Sequence, residues 1–164
     1  MSEIRLKNVI MEDFLNYRKP SMFLITCFCD WKCCTERNIP LTSCQNKPIH
    51  ELPTGSFSFE SLYRAYIGNP ITKAVVIGGL EPLIQFNEIY GLIKYFRDKG
   101  CNDTFVIYSG YTETEVENDP MWSTLKGLGN IIIKYGRFVP NQKPHFDEVL
   151  GVELISDNQY AKRY

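Results

Sequence analysis

The sequence predicts an α/β protein, a single domain over residues 1–164 in which a parallel sheet forms a partial, open β/α barrel. Three observations carry this. Segments 21–27 (SMFLITC), 73–78 (KAVVIG), 104–108 (TFVIY) and 130–135 (NIIIKY) are almost purely apolar, as strands are when both faces of a parallel sheet are covered. Segments with helical spacing alternate with them, the order expected of β-α-β units. A length of 164 residues suits one hydrophobic core and falls well short of the roughly 250 that close an eight-stranded barrel.

The first strand, 21–27, opens onto residues 28–55. That stretch is rich in Cys, Pro, Thr and Asn and too long for a plain connection, so it reads as a functional loop. Residues 57–66 (FSFESLYRAY) predict a helix with Ser58 as N-cap. The second strand, 73–78, ends in glycines. Residues 85–99 give the clearest helix, because Phe86, Ile89, Tyr90, Ile93 and Phe96 recur as a core stripe and Gly100 stops the run. After the third strand, 104–108, come a short acidic helix start at 112–118 and a Pro-initiated helix at 120–128. The fourth strand, 130–135, is followed by a Pro- and Asn-containing loop at 136–146 and by a fifth predicted strand at 148–155. Chemistry in parallel sheets sits at the carboxyl ends of strands. Three such ends carry notable residues here: the cysteine loop, 78–82 and 109–111.

Lys and Arg number 18 against 19 Asp and Glu. That balance supplies no basic surface for nucleic acid. The first residues, MSEIRLKNVIMEDF, carry early acids and no continuous apolar run, and no segment reaches the length of a bilayer span. A cytoplasmic protein without a membrane partner is expected.

Cysteine usage is the unusual feature. Of six cysteines, five lie between positions 27 and 44, and the sixth is Cys101. A secreted disulfide scaffold spreads its cysteines through a loop-rich chain; crowding in one loop beside an ordinary core points to metal. Within CFCDWKCCTERNIPLTSCQN, Cys29 and Cys33 are separated by three residues, Cys34 follows directly, and Cys44 opens the triplet Cys44-Gln45-Asn46. Thiolates hold iron–sulfur clusters or zinc. A structural zinc site wants four ligands in two short pairs, and a C-x-x-C pair is absent. Adjacent Cys33 and Cys34 make an awkward chelating pair, since neighbouring side chains tend to point apart. Three thiolates would instead leave one iron of a cubane open for a ligand. A zinc loop, or thiols that are merely buried, are the competing readings of the loop.

Several motifs then fall in one order. Cys29-x-x-x-Cys33 with a displaced Cys44-Gln45-Asn46 resembles the cysteine signature of radical S-adenosylmethionine enzymes. Gly78-Gly79-Leu80-Glu81-Pro82 at a strand end is similar to their Gly-Gly-Glu-Pro motif. Two further stretches, residues 106–112 (VIYSGYT) and 134–139 (KYGRFV), resemble the activating proteins of anaerobic ribonucleoside-triphosphate reductases. So do residues 13–17 (DFLNY) and Asn158-Gln159. The likeness runs from about Asp13 to Gln159.

That resemblance implies a 4Fe–4S cluster on Cys29, Cys33 and Cys44, with S-adenosylmethionine on the fourth iron. An external electron donor such as flavodoxin would reduce the cluster, the sulfonium would split, and the 5′-deoxyadenosyl radical would take a hydrogen atom from a glycine of the partner reductase. It also implies cofactor contacts from Trp31, Gly78, Gly79, Glu81, Pro82, Ser109 and Gly110. Each has a plainer reading: turns for the glycines and Ser109, a loop acid for Glu81, a core anchor for Trp31. Arg137 reads as a structural or partner-docking cation, Cys27 as core, Cys101 as an idle thiol, and His50 and His145 have no ligand spacing. Two departures stand out. An insertion moves the third cysteine to position 44, which a loop tolerates if its ends stay close, with Cys34 as the alternative ligand. Leu80 stands where that family has a glycine that admits the cofactor closely. Two other classes of function stay open, a radical enzyme with another substrate and a non-catalytic iron–sulfur or zinc module. So short a chain leaves little surface to enclose a small substrate, which favours a partner protein that completes the site.

Overall fold

The computed structural model describes residues 2–164. Two strands with mostly polar, exposed outer positions come first, β1 (Glu3–Leu6) and β2 (Asn8–Asp13). β3 (Ser21–Ile25) leads into the cysteine segment, which folds two short helices, α1 (Lys32–Thr35) and α2 (Lys47–Glu51). β4 (Gly55–Ser58) runs directly into α3 (Phe59–Gly68), where Ser58 Oγ caps the start by accepting the Ser61 N–H at 3.1 Å. Next come β5 (Ala74–Gly78), α4 (Phe86–Asp98) and β6 (Thr104–Tyr108). α5 (Glu113–Val116), α6 (Pro120–Lys126) and β7 (Ile131–Tyr135) follow. Three short strands finish the chain: β8 (His145–Asp147), β9 (Val152–Leu154) and β10 (Tyr160–Arg163).

The main sheet has six strands in the order β10-β7-β6-β5-β3-β2. Here the structure corrects the expected fold class. β3, β5, β6 and β7 are mutually parallel, but β2 and β10 pair antiparallel on the two edges. Two further antiparallel pairs, β1–β4 and β8–β9, stand apart from the sheet. Of seven pairings among the described residues, four are antiparallel, so the molecule is a mixed α/β protein with an open sheet and no partial parallel barrel. The predicted fifth strand at 148–155 is also corrected. Residues 148–151 form the turn between β8 and β9, and β9 pairs with β8 outside the main sheet.

Alternation along the central strands fixes the two faces. Met22, Leu24, Val75, Ile77, Phe105, Ile107, Ile131 and Ile133 join Leu62, Ile93, Phe96 and Leu125 of the helices in one core cluster. Ala74, Val76, Val106 and Ile132 meet Tyr17, Leu150, Leu154 and Ala161 in a second. Each such side chain contributes about 1.5–3 kcal/mol by leaving water. Helices therefore pack with one cluster only, while the second is completed by the segment around Tyr17 and by the β8–β9 turn. At the carboxyl ends of β3, β5, β6 and β7 this second side opens into a cleft.

Candidate metal centre

The cleft has a volume of about 370 Å³, and Cys29, Cys33 and Cys44 all line it. Its other walls come from the strand ends: Gly79, Leu80 and Glu81 after β5, Tyr108 to Tyr111 at the end of β6, Lys134 of β7, and Gly136 and Arg137 just after β7. The sequence brings the thiols there in two steps. β3 delivers the chain to Thr26, whose N–H and Oγ both bond to the Gly78 carbonyl, at 2.8 and 2.9 Å. Cys27 is then fixed by its N–H donating to Gln85 Oε1 at 2.8 Å. Cys29 and Cys33 follow on the turn into α1, and Cys44 arrives just before α2.

Trp31 makes that turn. Its φ is +60°, left-handed backbone rare for a bulky residue. Its N–H approaches Cys29 Sγ at 3.4 Å, and its carbonyl accepts the N–H groups of Cys34 and Thr35 at 2.9 and 3.0 Å. Its ring meets His50 edge-on with centroids 5.0 Å apart. The cleft walls do not include the Trp31 side chain.

Cys34 is 1 % exposed and lies off the cleft, although its sulfur is only 3.8 Å from that of Cys33. The Cys33 and Cys44 thiols push each other's acidity apart. Cys33 is raised, first by its neighbour Cys44 and then by burial. Cys44 is lowered to about 6, first by its neighbour Cys33 and, against burial, by the backbone N–H groups of Asn46 and Lys47. Burial pushes Cys29 up to about 11.

Glu81 ties the strand ends together. Its Oε2 accepts the Gly110 N–H at 2.7 Å, and its Oε1 accepts Ser109 Oγ–H and the Leu83 N–H, both at 3.0 Å. Burial raises its carboxyl to about 6 despite these donors. Pro82 follows as the first residue of a short 3-10 turn that Glu81 caps. Gly78 admits its neighbours closely: an added Cβ would lie 3.1 Å from Tyr108 Cβ. Gly79, at φ +94°, would put a Cβ 2.6 Å from Ile25 Cγ2, so both backbone and space demand glycine. Leu80 is buried at the cleft wall, and its N–H donates to Thr26 Oγ at 3.2 Å.

Two residues of this region were not singled out as site residues from the sequence. Lys134, 6 % exposed, donates from Nζ to the carbonyls of Ser109 and Gly136 at 3.2 and 2.7 Å. Desolvation lowers it to about 8, against the pull of Glu81. The available signal was its place two residues from Ile132, on the side of β7 that faces the cleft. Tyr111 donates from its hydroxyl to Asp30 Oδ2 at 2.7 Å, joining β6's end to the cysteine loop. Arg137 does the same from the segment after β7: it pairs with Glu36 at 3.2 Å and with both Glu115 oxygens at 2.6 and 2.7 Å.

The donor set fits a four-iron cluster. Among the described residues no three His, Cys, Asp or Glu side chains are placed to hold one metal ion together, but a cubane puts each thiolate on a different iron. Cys29, Cys33 and Cys44 present three sulfurs to one cavity, and the thiolate form that metal needs is already favoured at Cys44. Among the described residues, no helix is long and apolar enough to cross a membrane. Comparison with curated proteins gives no match. A family model described as 4Fe-4S single cluster domain matches residues 22–158, a span that includes all three cleft cysteines, Glu81 and Lys134. With most of its length matched, the chain belongs to the 4Fe-4S single cluster domain family of iron–sulfur proteins.

Proposed function

We propose that this chain is a radical S-adenosylmethionine activating protein that generates the glycyl radical of an anaerobic ribonucleoside-triphosphate reductase. The observation that carries the reading is the meeting of Cys29, Cys33 and Cys44 with the Gly79–Glu81 turn and the Ser109–Gly110 turn around one cleft. The family model, of a kind found in radical S-adenosylmethionine proteins, supports it.

Three thiolates leave one iron of a 4Fe–4S cluster free. Bound there, the cluster would supply the electron that splits S-adenosylmethionine into methionine and a 5′-deoxyadenosyl radical. The chain's own residues hold and shield. Gly79 lets the backbone turn at the cleft wall tight against Ile25, and Glu81 fixes the Ser109–Gly110 turn. Phe23 and Leu154 give the cleft apolar wall, which helps exclude water from a reactive radical. Its open side leaves room for a glycine-bearing segment of a partner.

The test is anaerobic incubation of the reconstituted protein with S-adenosylmethionine, dithionite and a purified reductase. A glycyl-radical EPR signal with matching 5′-deoxyadenosine supports the activase reading. 5′-Deoxyadenosine without a radical on the reductase points to another substrate. Neither product from a cluster-loaded protein overturns the radical chemistry and leaves a non-catalytic cluster module.

A further inference from the structure

The displaced third cysteine raises a question of position. Cys44 lies at the end of the insertion that follows Glu36, just before α2, and α2 is tied to the rest of the molecule by few contacts. Two of them come from outside the insertion and meet on this helix. Lys7, the single residue between β1 and β2, donates from Nζ to the carbonyls of His50 and Leu52 at 3.0 and 2.6 Å. These close the carboxyl end of α2, where a cation is favoured. Lys7 is itself anchored, its N–H donating to the Ile25 carbonyl at 2.8 Å at the end of β3. From the other side, the Trp31 ring rests against His50 of the same helix. At the front of α2, Lys47 N–H donates to the Cys44 carbonyl at 3.1 Å.

We infer that Lys7 and the Trp31–His50 contact form a latch that sets Cys44 opposite Cys29 and Cys33 for cluster assembly. Both are positioning residues, acting on the cluster through α2. The inference rests on Cys44 being the third ligand. The geometry links the parts as a chain. Trp31 fixes the turn that carries Cys29 and Cys33, its ring holds α2, and Lys7 holds the far end of α2 to the strand that launches the loop. α2 has only five residues and is too short to persist alone, so without the latch Cys44 samples many positions. Residues that orient a metal ligand typically matter about 10–100-fold in metal affinity.

The test is anaerobic titration of the full-length apoprotein with ferrous iron and sulfide, read by visible absorption, and by EPR after reduction, beside thermal unfolding of the apoprotein. Lys7→Met is expected to weaken cluster uptake about tenfold with little change in unfolding, and Lys7→Arg, which keeps the charge and the N–H donors, to restore it. Trp31→Asn keeps a residue tolerant of left-handed backbone but removes the ring, and is expected to weaken uptake with the fold retained. In a Cys44→Ala background neither change should matter further. Normal uptake by both Lys7→Met and Trp31→Asn overturns the latch, as does loss of uptake only in step with loss of folding. A wild-type protein that assembles no cluster, or a Cys44→Ala protein that assembles one normally, defeats the ligand assignment itself and is distinguishable from failure of the latch.

Discussion

The Glu81 carboxylate at the end of β5 accepts the Gly110 N–H beyond β6 at 2.7 Å, so one buried acid closes the top of two neighbouring parallel strands. Its carboxyl is raised by burial from 4.5 to about 6. The folded protein thus binds this proton more tightly than the unfolded chain. The stability it contributes is fully present below about pH 4.5 and is lost as pH rises through about 6. We expect Glu81→Gln to remove that slope, so that wild type minus variant changes by about 2 kcal/mol across this window. Urea unfolding of the apoproteins at several pH values measures it.

Lys134 has the opposite sign in a different window. Burial lowers it from 10.5 to about 8, so between those values the unfolded chain binds more protons than the folded one, and stability rises with pH. Lys134→Met is expected to abolish that rise while leaving the Ser109 and Gly136 carbonyls without their shared donor. Unfolding midpoints measured from neutral to alkaline pH check this; an unchanged alkaline slope contradicts it.

Gly79 and Gly110 separate two effects of added bulk. Gly79→Ala places a Cβ 2.6 Å from Ile25 Cγ2 on backbone of φ +94° and is expected to destabilise by about 2–4 kcal/mol. At Gly110 the nearest atom to an added Cβ is Glu81 Oε2 at 3.4 Å. Gly110→Ala is expected to fold normally, within about 0.5 kcal/mol, and to narrow the cleft. Denaturant titration of both variants decides whether the first glycine is held by the fold.

Arg137 anchors the cysteine loop through Glu36 while also holding Glu115. Removing the guanidinium frees Glu36, and trypsin cleavage after exposed Arg37 should accelerate about fivefold, the factor that about 1 kcal/mol of anchoring represents. Limited proteolysis of Arg137→Met against wild type reads this directly. Equal rates would show that the Arg137–Glu36 pair does not anchor the loop.

The central strands were legible because each is buried on both faces. The runs AVVIG, TFVIY and NIIIKY are almost purely apolar, and β5, β6 and β7 lie within a residue of where the sequence places them. The same feature misled the fold class. A doubly buried strand says nothing about its neighbours' direction, and the antiparallel edges come from β2 and β10, whose exposed positions carry Asn8, Glu12, Lys162 and Arg163. Such strands are defined by distant partners, which sequence spacing does not encode. The cysteine loop was legible as chemistry but not as structure, since α1 and α2 are too short to show periodicity. Glu81 was legible as a residue of the strand end; its bond to Gly110 spans 29 positions and was not.

The most direct measurement is the iron and sulfide content of anaerobically reconstituted wild type beside Cys29→Ala, Cys33→Ala, Cys44→Ala and Cys34→Ala. We expect wild type and Cys34→Ala to carry a 4Fe–4S cluster, with Cys34→Ala less stable by about 1–2 kcal/mol for the lost buried sulfur, and the other three to carry almost none. A cluster kept by Cys44→Ala but lost from Cys34→Ala, or one zinc ion in place of iron and sulfide, would contradict the assignment of Cys29, Cys33 and Cys44.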